Sequence, residues 1–254
     1  MVAAASLAEL AKRGVLSGVV ARERTLAVLP AFEPLLPGAV LQRGSVVACE
    51  GSAAATLALA LAARPSQEGV WVAVAGFPDV GMEAAAELGV VLARLVMVTE
   101  PAAGFNDATW ADVLAAMIDG FDVLLLGPGT LRVRTGTARR LMARAQARGA
   151  VIVTVGANAA FASDLRFEVT QASWQGLGEG CGVAHGRRAL VQLAGRRVPR
   201  PQHAELLLPA ANGQIDVGQP VVGPANGQID VGQPVVGPAV GPVVGPVVAL
   251  CPTG

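Results

Sequence analysis

The turn at 49–61, CEGSAAATLALAL, is where this chain comes nearest to phosphate chemistry. A phosphate loop needs glycines so that backbone N–H groups can curl around the anion, a lysine for the outer phosphates, and a serine or threonine to hold magnesium. Gly51, Ser52 and Thr56 answer the first and last requirements. The second goes unanswered, because Lys12 is the only lysine in the chain and no register of this segment brings an ammonium to it. Alanines stand at 53–55, so the turn reads as a degenerate remnant that does not grip a triphosphate. A nucleotide-hydrolysing site of this kind also needs an acid for its metal at the carboxyl end of a later strand. FDVLLLG at 121–127 ends in Gly127, and Asp122 sits at the wrong end. WVAVAG at 71–76 runs into Phe77 and Pro78 before reaching Asp79, two residues late for a carboxylate that activates water. Asp79 is expected to cap the helix that follows. These gaps predict no catalytic residue, no cofactor and no metal.

Other chemistries find less. GLGEGCG at 176–182 has no GxGxxG register and joins two strand-like segments, so a mobile hairpin loop is expected. No serine lies in a GxSxG turn, and His185 and His203 are the only histidines. Cys49, Cys181 and Cys251 are far apart with no CxxC, which supports neither zinc nor a disulfide framework and fits a reducing compartment. Cys49, ending an apolar run, reads as a small core residue. Arginine carries the positive charge. Arg132 and Arg134 follow the 121–127 segment, Arg139, Arg140, Arg144 and Arg148 line a helix, and Arg187, Arg188, Arg196, Arg197 and Arg200 lie along the last strands. Arg132, Arg134, Arg139, Arg140, Arg187, Arg188, Arg196 and Arg197 are the candidate contacts to DNA or an acidic partner; the alternative is a solvated helix face. With no tyrosine, and only Trp174 and Phe167 nearby, stacking on bases has little to work with.

Positioning these residues requires alternating strands and helices. Apolar runs at 45–49, 71–76, 95–100, 121–127 and 150–156 read as strands of a mostly parallel sheet covered on both faces. Helical spacing falls at 3–13, 53–63, 81–88, 110–118 and 137–148. LRFEVTQASWQ and RRALVQLAG alternate like antiparallel strands, with a final strand near 204–208. The predicted class is α/β, with antiparallel strands at the carboxyl-terminal edge.

Of the 254 residues, 53% are hydrophobic, enough for one sizeable core and too many for a disordered chain. The 19 basic and 19 acidic side chains cancel, yet residues 1–128 hold 7 basic and 13 acidic groups while 129–209 hold 12 and 4. Such a dipolar body favours oriented docking over indiscriminate binding to nucleic acid. No apolar run approaches the roughly 20 residues of a membrane helix, and the amino terminus lacks a secretion pattern, so a cytoplasmic protein with no membrane partner is expected. ANGQIDVGQPVVGP at 211–224 recurs unchanged at 225–238, followed by degenerate VGP units. Proline and glycine at this density predict a disordered tail. The domains read as 1–24, an N-terminal helix and linker; 25–209, the core; and 210–254, the tail.

LPAFEPLLPGAVLQRGSVVACEG resembles the entry to the RecA core, VAVAGFPDVGMEAAAELGVVLARLVMV resembles its second strand, helix and third strand, and FDVLLLGPG lies where its metal-binding strand belongs. Over about residues 25–205 the chain most resembles the shortened RecA-like proteins of the SulA/ImuA group, particularly the actinobacterial ImuA-prime type. On that resemblance the family's catalytic lysine falls on Ala54, its metal-site aspartate on Gly127 and its water-activating glutamate near Phe77. The resemblance implies a RecA-like fold and a non-catalytic accessory of damage-induced, error-prone translesion synthesis. Its implied partners are an ImuB-type Y-family polymerase-like protein, the error-prone polymerase complex and RecA itself. The rival readings are a DNA-stimulated ATPase or recombinase with an unconventional phosphate site at Gly51, Ser52 and Thr56, and a SulA-like inhibitor of cell division.

Overall fold

Strand formation follows the apolar runs, and the helices fill the gaps between them. In the computed structural model, residues 24–218 are described apart from 78, 102–103, 158–159 and 178–181. In chain order these are β1 (Thr25–Ala27), β2 (Val40–Gln42), β3 (Val46–Gly51), α1 (Ala54–Gln67), β4 (Val72–Ala75), α2 (Met82–Glu87), β5 (Leu95–Val98), α3 (Asp107–Gly120), β6 (Val123–Leu126), α4 (Thr135–Arg148), β7 (Val151–Val155), β8 (Leu165–Leu177), β9 (Gly182–Ala194), β10 (Gln202–Leu207) and β11 (Asp216–Val217). One nine-stranded sheet has the order β11-β10-β9-β8-β3-β7-β6-β4-β5. Every pair from β8 across to β5 is parallel, whereas β9, β10 and β11 are added antiparallel. The expected α/β class, with a large mostly parallel sheet flanked by helices and antiparallel strands along one side, is the one observed.

Both faces of the parallel block are covered, which is why β4, β6 and β7 are buried throughout instead of alternating, with Thr154 the one polar residue among them. On one face α1, α2 and the segment around Phe32 pack on Val47, Val72, Val74, Leu125 and Val153. On the other, α3 and α4 pack on Ala73, Ala75, Leu124, Leu126 and Ile152. The small residues of α1 let it lie close to the sheet: Leu57, Ala58, Ala60, Leu61, Ala62 and Ala63 are all buried. α1 also runs beyond the expected end at Ala63, through Pro65 to Gln67. Proline there removes only its own late hydrogen bond, and the Ser66 hydroxyl donates to Ala63 O at 2.7 Å while accepting from Val91 N at 2.9 Å. Asn106 caps α3 by accepting from Thr109 N at 2.9 Å, and Gly149 ends α4 in the left-handed conformation, φ 75°.

The proline-rich stretch at 29–44 joins the core: β1 and β2 form an antiparallel ribbon, and Phe32, Leu35 and Leu36 between them are buried, Phe32 standing edge-on to Phe167. Two expectations need correction. The loop expected at 176–182 is shorter than read, since β8 extends to Leu177 and β9 starts at Gly182. Only 178–181 lie between them, outside the described residues. β8 leaves β3 at the Gly51–Val169 pair, and the β8–β9 hairpin goes on as a two-stranded arm whose residues 171–176 are exposed. The core also does not end at Pro209. Ala210 and Ile215 are buried and β11 pairs with β10, so the ordered body includes residues 210–218. The expected N-terminal helix and the rest of the tail fall on residues outside the described ones.

Candidate functional site

In an open parallel sheet the ligand crevice lies beyond the carboxyl ends of the strands, where adjacent connections leave to opposite faces. That place is between β4 and β6, whose following helices, α2 and α4, lie on opposite faces. Here the crevice is zipped shut by glycines. Gly127 N donates to Ala75 O and Gly129 N to Gly76 O, each at 2.8 Å. The fully buried Thr130 locks the turn, its hydroxyl donating to Gly127 O at 2.7 Å. A Cβ on Gly127 would lie 2.5 Å from Gly76 O and 2.7 Å from the Phe77 ring, so Phe77 occupies the space an acid at 127 would need.

The β3–α1 turn is equally closed. β3 continues through Gly51, which stays in the ladder opposite Val169 of β8, and α1 begins at Ala54, so Ser52 and Ala53 alone connect them. A Cβ on Gly51 would sit 2.5 Å from Val169 O. Ser52 is exposed, but a two-residue link is shorter than the loop that lets successive N–H groups surround a phosphate. Thr56 is buried, and its hydroxyl accepts from Arg187 Nη2 at 3.1 Å. Arg187 arrives from β9, donates from Nε to Leu208 O at 2.6 Å, and lays its guanidinium 5.2 Å from the ring centre of Trp174. Burial pushes its pKa below the usual arginine value. Arg187 thus ties α1, the arm and the end of β10 together. Arg187→Met, which keeps the stem and removes the donors, should lower stability by about 2 kcal/mol, read as a shifted urea midpoint.

The remaining candidates are dispersed. Arg132 ends the 3-10 turn Pro128–Arg132, and Arg134 stands at the head of α4 with its backbone N–H donating to Asp107 at 2.8 Å. Arg139 and Arg140 are exposed further along α4. Arg144 and Arg148 share Asp119, whose carboxyl is held below its usual pKa chiefly by the hydrogen bond from Arg144. Arg188 pairs with Glu205 at 2.5 Å. Arg196 and Arg197 converge on Asp164 at 3.1 and 3.7 Å, at the opposite end of the sheet from Gly51, Ser52 and Thr56. The basic half therefore forms no single face; Arg134, near Asp107 at the head of α4, and Arg139 and Arg140 along it are each exposed.

Asp79 does not cap α2. The cap position is Gly81, which offers no side-chain acceptor, because the helix starts only at Met82. Asp79 lines an apolar hollow with Ala55, Leu59, Phe77, Val80 and Leu125. Cys49 is fully buried and its thiol is pushed far above its usual pKa by burial, as expected of an inert core residue. Among the described residues no cluster of His, Cys, Asp and Glu is placed to hold a metal ion, and no helix is long and apolar enough to cross a membrane. The plugging role of Phe77 and the Arg187–Thr56 bond were not visible in the sequence, since both join residues from separate elements.

Residues 34–160 match the family model of the MT3502 N-terminal domain. The chain belongs to that family. A relative, the uncharacterized protein Rv3395c of Mycobacterium tuberculosis (strain ATCC 25618 / H37Rv), is 33% identical over 126 residues, which are 50% of this chain and 52% of that protein. The chain thus spans about half the length of this curated relative. The MT3502 N-terminal domain as folded here takes in β2–β7 and α1–α4, hence the two-residue turn, the zipped crevice and the α4 arginines. It stops before β8, so the arm, Arg187 and the β10–β11 edge lie outside the matched span.

Proposed function

We propose that this protein is a non-catalytic, RecA-like accessory protein of the actinobacterial ImuA-prime type, which binds an ImuB-type polymerase-like subunit and helps assemble an error-prone translesion complex. The observation that carries this reading is the filled crevice: Gly127 stands where a metal-holding acid belongs, and the Phe77 ring takes up the space. The two-residue β3–α1 link and the Thr56 hydroxyl engaged by Arg187 support it further. A scaffold needs the architecture and not the chemistry, and α1 still packs on an intact sheet. The mycobacterial relative and the RecA-like order of sequence elements favour the ImuA-prime assignment. Localisation in the cytoplasm, with DNA nearby, belongs to the same proposal. Arg134, Arg139 and Arg140 are its best-placed contact to a polyanion or an acidic partner surface.

The test uses the full chain. Co-purification with an ImuB-type subunit is expected, together with no ATP turnover in the presence of single-stranded DNA. Failure to associate, or sustained hydrolysis abolished by Ser52→Ala or Thr56→Val, would sink the reading.

A further inference from the structure

The first copy of the repeated sequence is seated on the body, and residues 212–218, which seat it, recur in the second copy. Asn212 Oδ1 accepts from Gln214 N at 3.0 Å, setting a tight turn. Gly213 turns the chain at φ 80°, where a Cβ would lie 2.9 Å from Glu87 Cβ. Ile215 is buried, with 8% of its surface left, and belongs to the core cluster that includes Phe32 and α1. Asp216 and Val217 pair with Leu207 and Leu206 of β10. Gly218 N donates to Glu205 O at 2.8 Å, and a Cβ there would lie 2.9 Å from Glu205 Cγ. Asn226, Gly227, Gln228, Ile229, Asp230, Val231 and Gly232 reproduce that set without a change.

The geometry points to a peptide-binding seat on the edge of β10, specific for the segment ANGQIDVG, which either copy carried by the same chain occupies in turn. The seat recognises its ligand by strand addition, one buried branched side chain and two glycines pressed against Glu87 and Glu205. The second copy carries the same seating residues; the tether and the residue that precedes the copy differ. To reach the seat from Leu207, the first copy spans 208–215 and the second 208–229. A connection roughly three times as long lowers occupancy about fivefold by loop-closure entropy. The first copy also gains the bond from Ala210 N to Gln214 O at 2.7 Å; Pro224, at the matching place before the second copy, has no N–H to donate. The first copy therefore dominates, and the second is a standing minor occupant. Exchange shifts the register of the chain on the seat by one repeat length without altering the body.

The chain has four isoleucines, Ile118, Ile152, Ile215 and Ile229, so methyl-labelled isoleucine gives a four-signal NMR spectrum. Ile118 and Ile152 are buried in the sheet and report whether the fold is intact. Ile215→Ser handicaps the first copy by about thirtyfold or more, enough for the second copy to overtake it. In that variant the Ile229 methyl signal is expected to move to the position Ile215 holds in the wild type, with Ile118 and Ile152 unmoved. In Ile229→Ser, Ile215 should stay where it is and lose its minor exchange partner. An Ile229 signal that keeps its wild-type position in folded Ile215→Ser overturns the proposal. So does a shift that appears only as protein concentration rises and the mass doubles, since the ligand would then come from another molecule. Should Ile118 and Ile152 move in Ile215→Ser, the milder Ile215→Ala is read by the same criteria.

Discussion

Replacing Gly127 with aspartate is expected to destabilise the fold by about 3 kcal/mol and to give no magnesium-dependent nucleotide hydrolysis. If the chain merely lacked an acid, restoring it would move the site towards function. The geometry says otherwise, because the first atom of any side chain at 127 meets Gly76 O at 2.5 Å and the Phe77 ring at 2.7 Å. Gly76 cannot yield: it is held at φ 72°, and a Cβ of its own would press on Thr130, 2.8 Å from Cγ2. The aspartate would also place a charge beside an aromatic ring. Gly127→Ala should already lose about 1–3 kcal/mol from overpacking alone, and the difference between the two variants isolates the cost of the charge. Urea unfolding at neutral pH with an ATP turnover assay measures both. An aspartate variant as stable as wild type that hydrolyses ATP would mean that Phe77 swings aside, and that the crevice is a dormant site, not a filled one.

Phe167→Ala should cost about 4 kcal/mol, the largest single loss expected in this protein. Phe167 is fully buried, lies in β8 opposite Cys49 of β3 and Leu193 of β9, and meets Phe32 edge-on at 5.9 Å between ring centres. It therefore clamps the antiparallel strands, the central strand and the β1–β2 segment at one point. Removing the ring leaves a cavity that rigid strands cannot collapse into, and frees Phe32 from its neighbour. The coupling between Phe167→Ala and Phe32→Ala in a double-mutant cycle should come to about 1 kcal/mol. Limited proteolysis of Phe167→Ala is expected to cut first within residues 25–42. A loss below about 2 kcal/mol, or first cleavage elsewhere, would show that the ribbon is held by other contacts.

How much of this was legible depended on the range of the interaction. WVAVAG, FDVLLLG and AVIVTVG could be read as buried strands because each carries its signal in a few consecutive residues, and their helices followed from spacing. The missing lysine and the glycine at 127 were legible for the same reason. The β1–β2 ribbon was not: its strands are three residues each and its prolines imitate a linker, while the burial of Phe32 is decided by Phe167, far along the chain. Asp79 misled because an acid before a helical pattern is a strong cap signal, yet the helix begins at Met82, leaving the carboxylate at a hollow. Ile215 was hidden by its setting, since proline and glycine around it report disorder whereas one branched side chain finding the core reverses that locally. Charge arithmetic predicted a basic half but not its neutralisation, as Asp119 and Asp164 each draw two arginines.

The arm formed by the outer parts of β8 and β9 has no third strand beside it once β3 ends at Gly51 and β10 ends opposite Arg188. Its amides can therefore exchange with water through local fraying, without the body opening. Tension or binding at Val183, about half exposed, is absorbed by that fraying unit. Beyond the Trp174–Arg187 contact the arm is insulated from the global folding equilibrium, so its outer part can be reshaped by substitution at little risk to the fold that carries it.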